Sequence, residues 1–313
     1  MKTSTSKRLR WNVAIWLAAG LFMTGAAGMA AGPIMPDPKA EARHQPQVEE
    51  TANGIPLVNI TAPSSGGVSR NEYETFNVPD KGAILNNSYT LSKTELAGYV
   101  QGNNNMAERP AKIIVNEVTG AGSTSMDGFL EVAGNRADVV IANPNGITVN
   151  GGGFINTGKA FLTTGKPVYD GEDHLQRFDI TGGDILIEGK GLGGKETGSL
   201  AILSRAVKIN AGIWAKDLHI TTGANTVDAK TLEASAIEGK GGRPAFALDT
   251  AAIGGMYAGR ITLVGTEKGL GVNNSGTWSA EDNLTLDWNG DLKNSGTIYS
   301  KGNTDLRASR LEN

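Results

Sequence analysis

Residues with the chemistry for catalysis or metal binding are few and scattered along this chain. The three histidines, His44, His174 and His219, have no metal-ligand spacing, so each is expected on the surface or in a loop. The chain has no cysteine, which excludes a thiol nucleophile, a thiolate metal site and a disulfide. The sequence therefore predicts no catalytic residue, no metal ion and no cofactor.

Two short segments resemble ligand sites only in part. The acidic residues Asp170, Glu172 and Asp173 could bind calcium, but they lack the spacing of an EF-hand or a nonapeptide calcium repeat. A solvated loop is the preferred interpretation. The glycine-rich run from Gly191 to Lys195 lacks the Gly-Lys-Ser/Thr ending and the following helix of a phosphate-binding loop. Neither segment indicates an enzyme.

The composition favours a protein made of strands and turns. The chain contains 43 glycines, and aromatic residues make up 6% of it. The formal charge of −3 includes a basic leader without acidic residues, so the remainder of the chain is still more acidic. Because no basic surface is indicated, nucleic acid is not an expected partner.

A secretory signal peptide is predicted over residues 1–30. Its first ten residues are polar and basic, an uncharged apolar run extends from Trp11 to Met23, and small residues follow. Gly28 and Ala30 place small side chains at positions −3 and −1 of a cleavage site after Ala30. The apolar run is too short to favour the alternative, a membrane anchor. We therefore expect export by the Sec machinery through the periplasm.

The chain after the leader is expected to be all-β. Residues 31–51 are predicted to form an irregular lead-in. Further on, Asp138–Ala142 and Ile147–Val149 are β-branched runs typical of strands. Between them lies a predicted tight turn, in which proline pre-sets φ, the asparagine amides bond the local backbone and glycine takes a positive φ. Its residues are Asn143, Pro144, Asn145 and Gly146.

A repeat near the end of the chain predicts the architecture. The segment Asn274–Thr277 recurs 20 residues later as Asn294–Thr297. Short strands, glycine or asparagine corners and a fixed period are typical of a β-solenoid, in which corner asparagines can stack as hydrogen-bonded ladders. About twelve coils, or a rod of about 55 Å, would follow from the length. Trp214 and Trp278 are expected at equivalent positions, where packing is favoured over sugar binding.

A series of short motifs, taken in order along the chain, resembles that of a known family. The motifs are Pro56–Ile60, Gly67–Ser69, Phe76–Val78, Ile84–Asn87, Ile114–Gly120, Glu131–Gly134 and Ala142–Ile147. The series resembles the two-partner secretion (TPS) domain of the filamentous haemagglutinin family. Within it, Ala215–Ile220 and Gly254–Ile261 are most similar to contact-dependent growth inhibition proteins of the CdiA type.

The resemblance implies a fold and a domain division. It implies a right-handed parallel β-helix with coils of about 20 residues and small extra-helical strands, which agrees with the repeat. We assign residues 52–270 to the TPS secretion domain and residues 271–313 to the start of haemagglutinin-like repeats. Because the repeat runs to Asn313 without a sign of a cap, we expect either the front of a longer rod or a truncated gene. The alternative is that the polar run Arg307–Asn313 is a weak cap.

The resemblance also implies two asparagine-rich turn signatures. The later one is intact at residues 143–146. The earlier one, usually Asn-Pro-Asn-Leu in relatives, falls on Asn103, Asn104, Asn105 and Met106. Asparagine tolerates turn geometry and methionine replaces the volume of leucine, so a turn is still expected there. Relatives often carry a cysteine pair after the later signature, and Val149 and Gly152 stand at those positions.

The function that follows is secretion targeting rather than catalysis. The resemblance implies recognition by the POTRA domains of an outer-membrane Omp85-type (TpsB) transporter, translocation unfolded, and folding outside the cell as a monomer. The parent protein is expected to be a growth inhibition toxin or a haemagglutinin adhesin that contacts a target-cell receptor. A haemolysin-type exoprotein is the alternative. A polysaccharide-cleaving β-helix enzyme is disfavoured because the 20-residue repeats align no acid pair. The two turns themselves are either recognition signals or simply corners of the β-helix.

Overall fold

The computed structural model describes residues 32–106 and 109–313, so the predicted signal peptide with Gly28 and Ala30 lies outside the described residues. Apart from the 3₁₀ helix Ala42–His44, the described elements are strands. In this part of the chain, no helix has the length and apolar character needed to cross a membrane. The chain forms the all-β structure that its composition predicts.

The strands are short and follow one another closely. The first are β1 (Ile34–Pro36), β2 (Gln47–Glu50), β3 (Pro56–Asn59), β4 (Val68–Phe76), β5 (Ala83–Asn87), β6 (Ser92–Thr94), β7 (Gly98–Val100), β8 (Ile113–Val118), β9 (Thr124–Met126), β10 (Phe129–Gly134) and β11 (Ala137–Ala142). Next come β12 (Ile147–Val149), β13 (Gly152–Ile155), β14 (Thr157–Thr163), β15 (Lys166–Tyr169), β16 (Leu175–Ile180), β17 (Asp184–Ile187), β18 (Leu192–Gly194), β19 (Ser199–Ser204), β20 (Ala206–Ile209), β21 (Gly212–Thr222) and β22 (Asn225–Asp228). The last are β23 (Ala234–Ala236), β24 (Phe246–Thr250), β25 (Gly255–Gly265), β26 (Gly271–Asn274), β27 (Thr277–Ala280), β28 (Leu284–Trp288), β29 (Asp291–Asn294), β30 (Thr297–Ser300), β31 (Thr304–Arg307) and β32 (Arg310–Glu312).

Three walls of parallel strands build a β-helix. The first wall stacks β3, β5, β10, β13, β18, the starts of β21 and β25, β27 and β30. The second stacks β4, β8, β11, β14, β19, the ends of β21 and β25, β28 and β31. The third stacks β9, β12, β17, β20, β24, β26, β29 and β32. The predicted parallel β-helix is therefore confirmed.

The core follows from the alternation of side chains along each strand. In the second wall, Ile141, Leu162 and Ile202 are paired on successive levels and are fully buried. Every second side chain points inward in this way, so the walls share one continuous hydrophobic core. The predicted asparagine ladder is also present: Asn274 donates to Asn294 at 2.8 Å, and Asn294 donates to Asn313 at 2.6 Å.

The estimate of twelve coils is wrong, because part of the chain leaves the β-helix. The first wall has nine levels over the described residues, or about 38 Å of rod at the interstrand spacing. Neighbouring levels are 20 residues apart at Ser275 and Ser295, but 40 apart at Thr164 and Ser204. The residues that leave the walls form the predicted extra-helical strands. These are the hairpin β6–β7, between β5 and β8, and the antiparallel sheet β15-β16-β22-β23, whose strands follow β14 and β21.

The lead-in at residues 31–51 was predicted to be irregular, but it contains two strands. It contains β1, which pairs antiparallel with β4, and β2, which pairs antiparallel with β3. These strands give the first coil the backbone partners that no preceding coil supplies. The division between residues 270 and 271 stays a prediction, and the walls continue across it without interruption.

The two tryptophans are not equivalent, contrary to the prediction from the repeat. Met256 pairs with Ile213 on one side and with Trp278 on the other, whereas Trp214 pairs with Tyr257. Equivalence of the two tryptophans requires Asn210 to lie level with Asn274, four residues before each tryptophan. Instead Ile209 lies level with Asn274, so Trp214 is one residue out of register with Trp278. Trp278 is fully buried, while Trp214 lies on the outer face and is partly exposed.

Candidate functional site

The later asparagine signature forms a tight turn between the second and third walls. It joins β11 to β12, as predicted. The backbone N–H of Gly146 donates to the carbonyl of Asn143 at 3.1 Å, closing the turn. The side-chain Oδ1 of Asn143 accepts the backbone N–H of Asn145 at 2.9 Å, which is an Asx-turn. The side chain of Asn143 therefore shapes its own corner.

The amides of this turn also bind the loop before β9. The Nδ2 of Asn143 donates to the carbonyl of Gly122 at 2.9 Å and to Oγ1 of Thr124 at 3.0 Å. The Nδ2 of Asn145 donates to the carbonyl of Gly120 at 2.8 Å. Asn143 is fully buried, so its two bonds satisfy a side-chain amide that water cannot reach. The two asparagines consequently tie one coil to the next.

The other two positions of this turn differ in exposure. Pro144 is exposed to solvent, whereas Gly146 is buried. Gly146 has a φ of 110°, and a Cβ at this position would lie 3.1 Å from the carbonyl oxygen of Asp184. Both facts favour glycine, as the sequence predicted.

The earlier signature forms the same turn in spite of its altered sequence. The N–H of Met106 donates to the carbonyl of Asn103 at 3.0 Å, and Oδ1 of Asn103 accepts the N–H of Asn105 at 2.9 Å. The Nδ2 of Asn103 donates to the carbonyls of Ile60 (2.8 Å) and Asn86 (3.0 Å), and Asn105 donates to Ile60 as well. Proline is therefore not required to form this turn.

The two turns expose a side chain at the same position, the second. Asn104, like Pro144, is exposed. Met106 is buried and belongs to the core of the β-helix, so its side chain fills core volume. The partners of the asparagine amides are mostly backbone carbonyls, and a sequence carries no signal for such partners. The sequence therefore predicted both turns, but not the neighbouring segments to which their asparagine amides bind.

The histidines do not form a site, and two of them are not where the sequence placed them. His44 is buried, with Nδ1 3.0 Å from the carboxylate of Glu72, because the lead-in packs against β4. His219 lies on strand β21, and burial lowers the pKa of its imidazole to about 4. Only His174 lies in a loop. Over the described residues, no group of three or more histidine and acidic side chains could hold a metal ion.

The acidic segment after β15 is an internally bonded loop. Oδ1 of Asp170 accepts the backbone N–H groups of Glu172 and His174, both at 2.9 Å. These bonds lower the pKa of the Asp170 carboxyl. Asp173 pairs with Arg43 of the lead-in at 2.7 Å. The carboxylates are thus used in holding the loop and the lead-in together.

Two further sequence features lie within the walls. The glycine-rich run from Gly191 to Lys195 contains strand β18 of the first wall, with no helix following it. A Cβ on Gly152 would lie 2.9 Å from Cγ1 of Val149, so the two positions at which the resemblance implied a cysteine pair adjoin in this fold. Here an aliphatic side chain and a glycine occupy them.

The family follows from a match over most of the chain. The model of the TPS secretion domain matches residues 33–298. The chain belongs to this family. The TPS domain here is similar to the crystal structure of the filamentous hemagglutinin secretion domain, with a TM-score of 0.76 and 31% identity over 90% of this chain and 97% of that one.

The similar curated proteins are far longer than this TPS domain. The toxin CdiA of Yersinia pestis is 43% identical over 294 residues, which are 87% of this chain and 9% of that protein. The 16S rRNA endonuclease CdiA of Enterobacter cloacae subsp. cloacae is 44% identical over 264 residues, or 84% of this chain and 8% of that protein. The chain therefore spans less than a tenth of these relatives, and its family places it among proteins secreted to the cell surface or beyond.

Proposed function

We propose that this chain is the secretion-targeting module of a large exoprotein and is not itself an enzyme. In this proposal the Sec machinery exports it to the periplasm, and the POTRA domains of an outer-membrane Omp85-type (TpsB) transporter then recognise it. The parent protein is a contact-dependent growth inhibition toxin or a filamentous haemagglutinin adhesin. The finished β-helix is a monomer on the outside of the cell, where the exoprotein meets its target-cell receptor.

The observation that carries the proposal is the internal use of the asparagine amides. In the folded domain, the first asparagine of each turn is buried and donates to backbone carbonyls of a neighbouring segment. A transporter that reads these amides must therefore meet them before the domain folds. Of the turn residues, Asn104, Pro144 and Asn145 are exposed in the folded domain, and Asn105 is partly exposed.

A physical mechanism connects recognition with transport. An extended chain can add a strand to the open sheet edge of a periplasmic domain, so that backbone hydrogen bonds give affinity and side chains give specificity. The chain has no cysteine, so no disulfide can form in the periplasm and block threading. Outside, each coil supplies the backbone partners for the next, and the buried core opposes return through the pore.

The experiment is secretion of the full chain in cells that co-express the Omp85-type transporter of the same operon. The variant Asn143→Ala/Asn145→Ala is compared with Asn150→Ala, a half-buried asparagine just beyond the turn. We expect the first variant to accumulate in the periplasm and the second to reach the medium. Normal release of the first variant would contradict recognition through this turn.

A further inference from the structure

Exposed aromatic residues are aligned on one outward column of the first wall. Strand pairing places seven positions on this column, in the order Phe129, Gly153, Gly193, Trp214, Tyr257, Ser279 and Tyr299. Phe129, Tyr257 and Tyr299 are 43%, 40% and 51% exposed. The column runs parallel to the axis of the β-helix over six interstrand spacings, or about 29 Å. Four aromatic residues thus form a line that the sequence does not show.

Three of the rings lie against the backbone of glycines rather than projecting from the wall. A Cβ on Gly212 would be 2.5 Å from the ring of Trp214, and a Cβ on Gly255 would be 2.8 Å from the ring of Tyr257. In the same way, Gly153 makes room for Phe129, whose Cε1 would be 2.4 Å from a Cβ there. Each glycine therefore lets a ring rest on the sheet. The faces of these rings are left available on an outer surface.

Neighbouring rings form a platform beside a shallow pocket. The planes of Trp214 and Tyr257 differ by 16°, and their centroids are 6.2 Å apart. A pocket of about 330 Å³ separates Trp214 from Phe129, with Gly193 lining it between them. Lys195 and Glu196 also line this pocket and supply hydrogen-bonding groups. Aromatic walls with a few polar groups are the usual composition of a ligand site.

Two lysines give this surface a cationic side. Gly194 pairs with Ala215, so the next residues along, Lys195 and Lys216, lie on adjacent levels. Both are exposed. Within the described residues neither makes an ion pair, whereas Glu281 and Lys301 further along the wall pair with each other. Glu196 is also exposed and lines the same pocket, so two cations and one anion lie beside the Trp214 platform, and their net positive charge can attract an anionic group.

We propose that this column binds an acidic glycan chain that lies along the axis of the β-helix. The C–H groups of a sugar ring pack on the negative faces of Trp214 and Tyr257, and its carboxylate or phosphate lies near Lys195 and Lys216. A linear array of flat rings matches a linear polymer. A protein partner is disfavoured because its binding energy concentrates in anchors buried in deep pockets, and rings resting on a flat wall provide none.

The test is isothermal titration calorimetry of the purified chain with acidic oligosaccharides of polygalacturonate and of polysialate, and with neutral cello-oligosaccharides. We expect binding of at least one acidic probe that weakens as salt is added. Trp214→Leu should weaken it about tenfold, because leucine covers the glycine but has no aromatic face, while Trp214→Tyr should stay within about threefold. Lys195→Gln/Lys216→Gln should remove the preference for acidic over neutral probes.

Matched controls lie off the column. Tyr99→Leu changes an aromatic residue that is 70% exposed on the β6–β7 hairpin, and Lys230→Gln changes an exposed lysine beyond β22. Neither should alter the affinity. The proposal is wrong if no probe binds, if Trp214→Leu binds as well as the unchanged chain, or if neutral probes bind as tightly as acidic ones. Loss of a dimer on Trp214→Leu, measured by sedimentation, would instead assign the face to a second copy of the chain.

Discussion

The turns at Asn103–Met106 and Asn143–Gly146 share their hydrogen bonds but differ in two of four side chains. In each, the first asparagine closes an Asx-turn and donates to a backbone carbonyl, and the third position donates to a carbonyl of a neighbouring segment. The second bond of the first asparagine goes to a carbonyl from Asn103 and to the Thr124 hydroxyl from Asn143. The second position is exposed in both. The fourth is a core methionine in one turn and a positive-φ glycine in the other. The asparagines thus define the corner, and the fourth residue adapts to its surroundings.

The largest effect should come from the fourth position of the earlier turn. Met106→Ala removes a buried side chain from the core and should lower the free energy of unfolding by about 2–4 kcal/mol. Met106→Leu conserves the volume and should cost less than about 1.5 kcal/mol. Urea denaturation measures both. Equal losses for the two variants would mean that core volume is not what this position contributes.

The first asparagine of each turn should contribute similarly. Asn143→Ala and Asn103→Ala each remove two hydrogen bonds that the amide donates and the acceptor of one backbone N–H, so each should lower the free energy of unfolding by about 2–3 kcal/mol. The measurement is chemical denaturation of both variants in the same buffer. A difference above about 1 kcal/mol would show that the two corners are not energetically equivalent.

Acid should weaken the domain without changing this comparison, because neither turn contains a titratable side chain. Burial lowers the pKa of His219 to about 4, so the unfolded chain takes up this proton first as the pH falls below about 6.5. The contribution of His219 to stability is complete above that pH and should fall by about 1–2 kcal/mol between pH 7 and pH 5. His219→Gln should reduce this loss. An unchanged loss in that variant would assign the pH dependence to another group.

Gly146→Ala is expected to have a moderate effect. Alanine would be strained at a φ of 110°, and its Cβ would crowd the Asp184 carbonyl, so the loss should be about 1–2 kcal/mol. Gly122→Ala is the control, since a Cβ there meets nothing within 4 Å and its φ is not in the positive range. Thermal unfolding of the two variants should separate them, and identical midpoints would contradict the strain argument.

Exchanging the residues at the second position of the two turns should have the smallest effect on the free energy of unfolding. Asn104→Pro and Pro144→Asn change exposed side chains, so each should shift the free energy of unfolding by less than about 1 kcal/mol, mainly through the unfolded chain. Differential scanning calorimetry can measure both. A loss of several kcal/mol in either variant would show that the turns have different backbone requirements.

The sequence predicted whatever depends on local turn chemistry and on an uninterrupted repeat. The strands on either side of Asn143 and the ladder from Asn274 to Asn294 follow from such patterns, and both are present. The number of coils did not follow, because hairpins between levels break the period. The outward position of Trp214 did not follow either, because a one-residue difference in register moves a side chain to the other face of a strand.

The measurement that tests the central claim most directly is the affinity of the transporter's POTRA domains for the folded chain and for an unfolded one. Val139→Asp places a charge in the fully buried core and supplies an unfolded chain in the same buffer. We predict that the unfolded chain binds more tightly and that adding Asn143→Ala/Asn145→Ala removes the advantage. Equal or tighter binding of the folded chain would contradict recognition before folding.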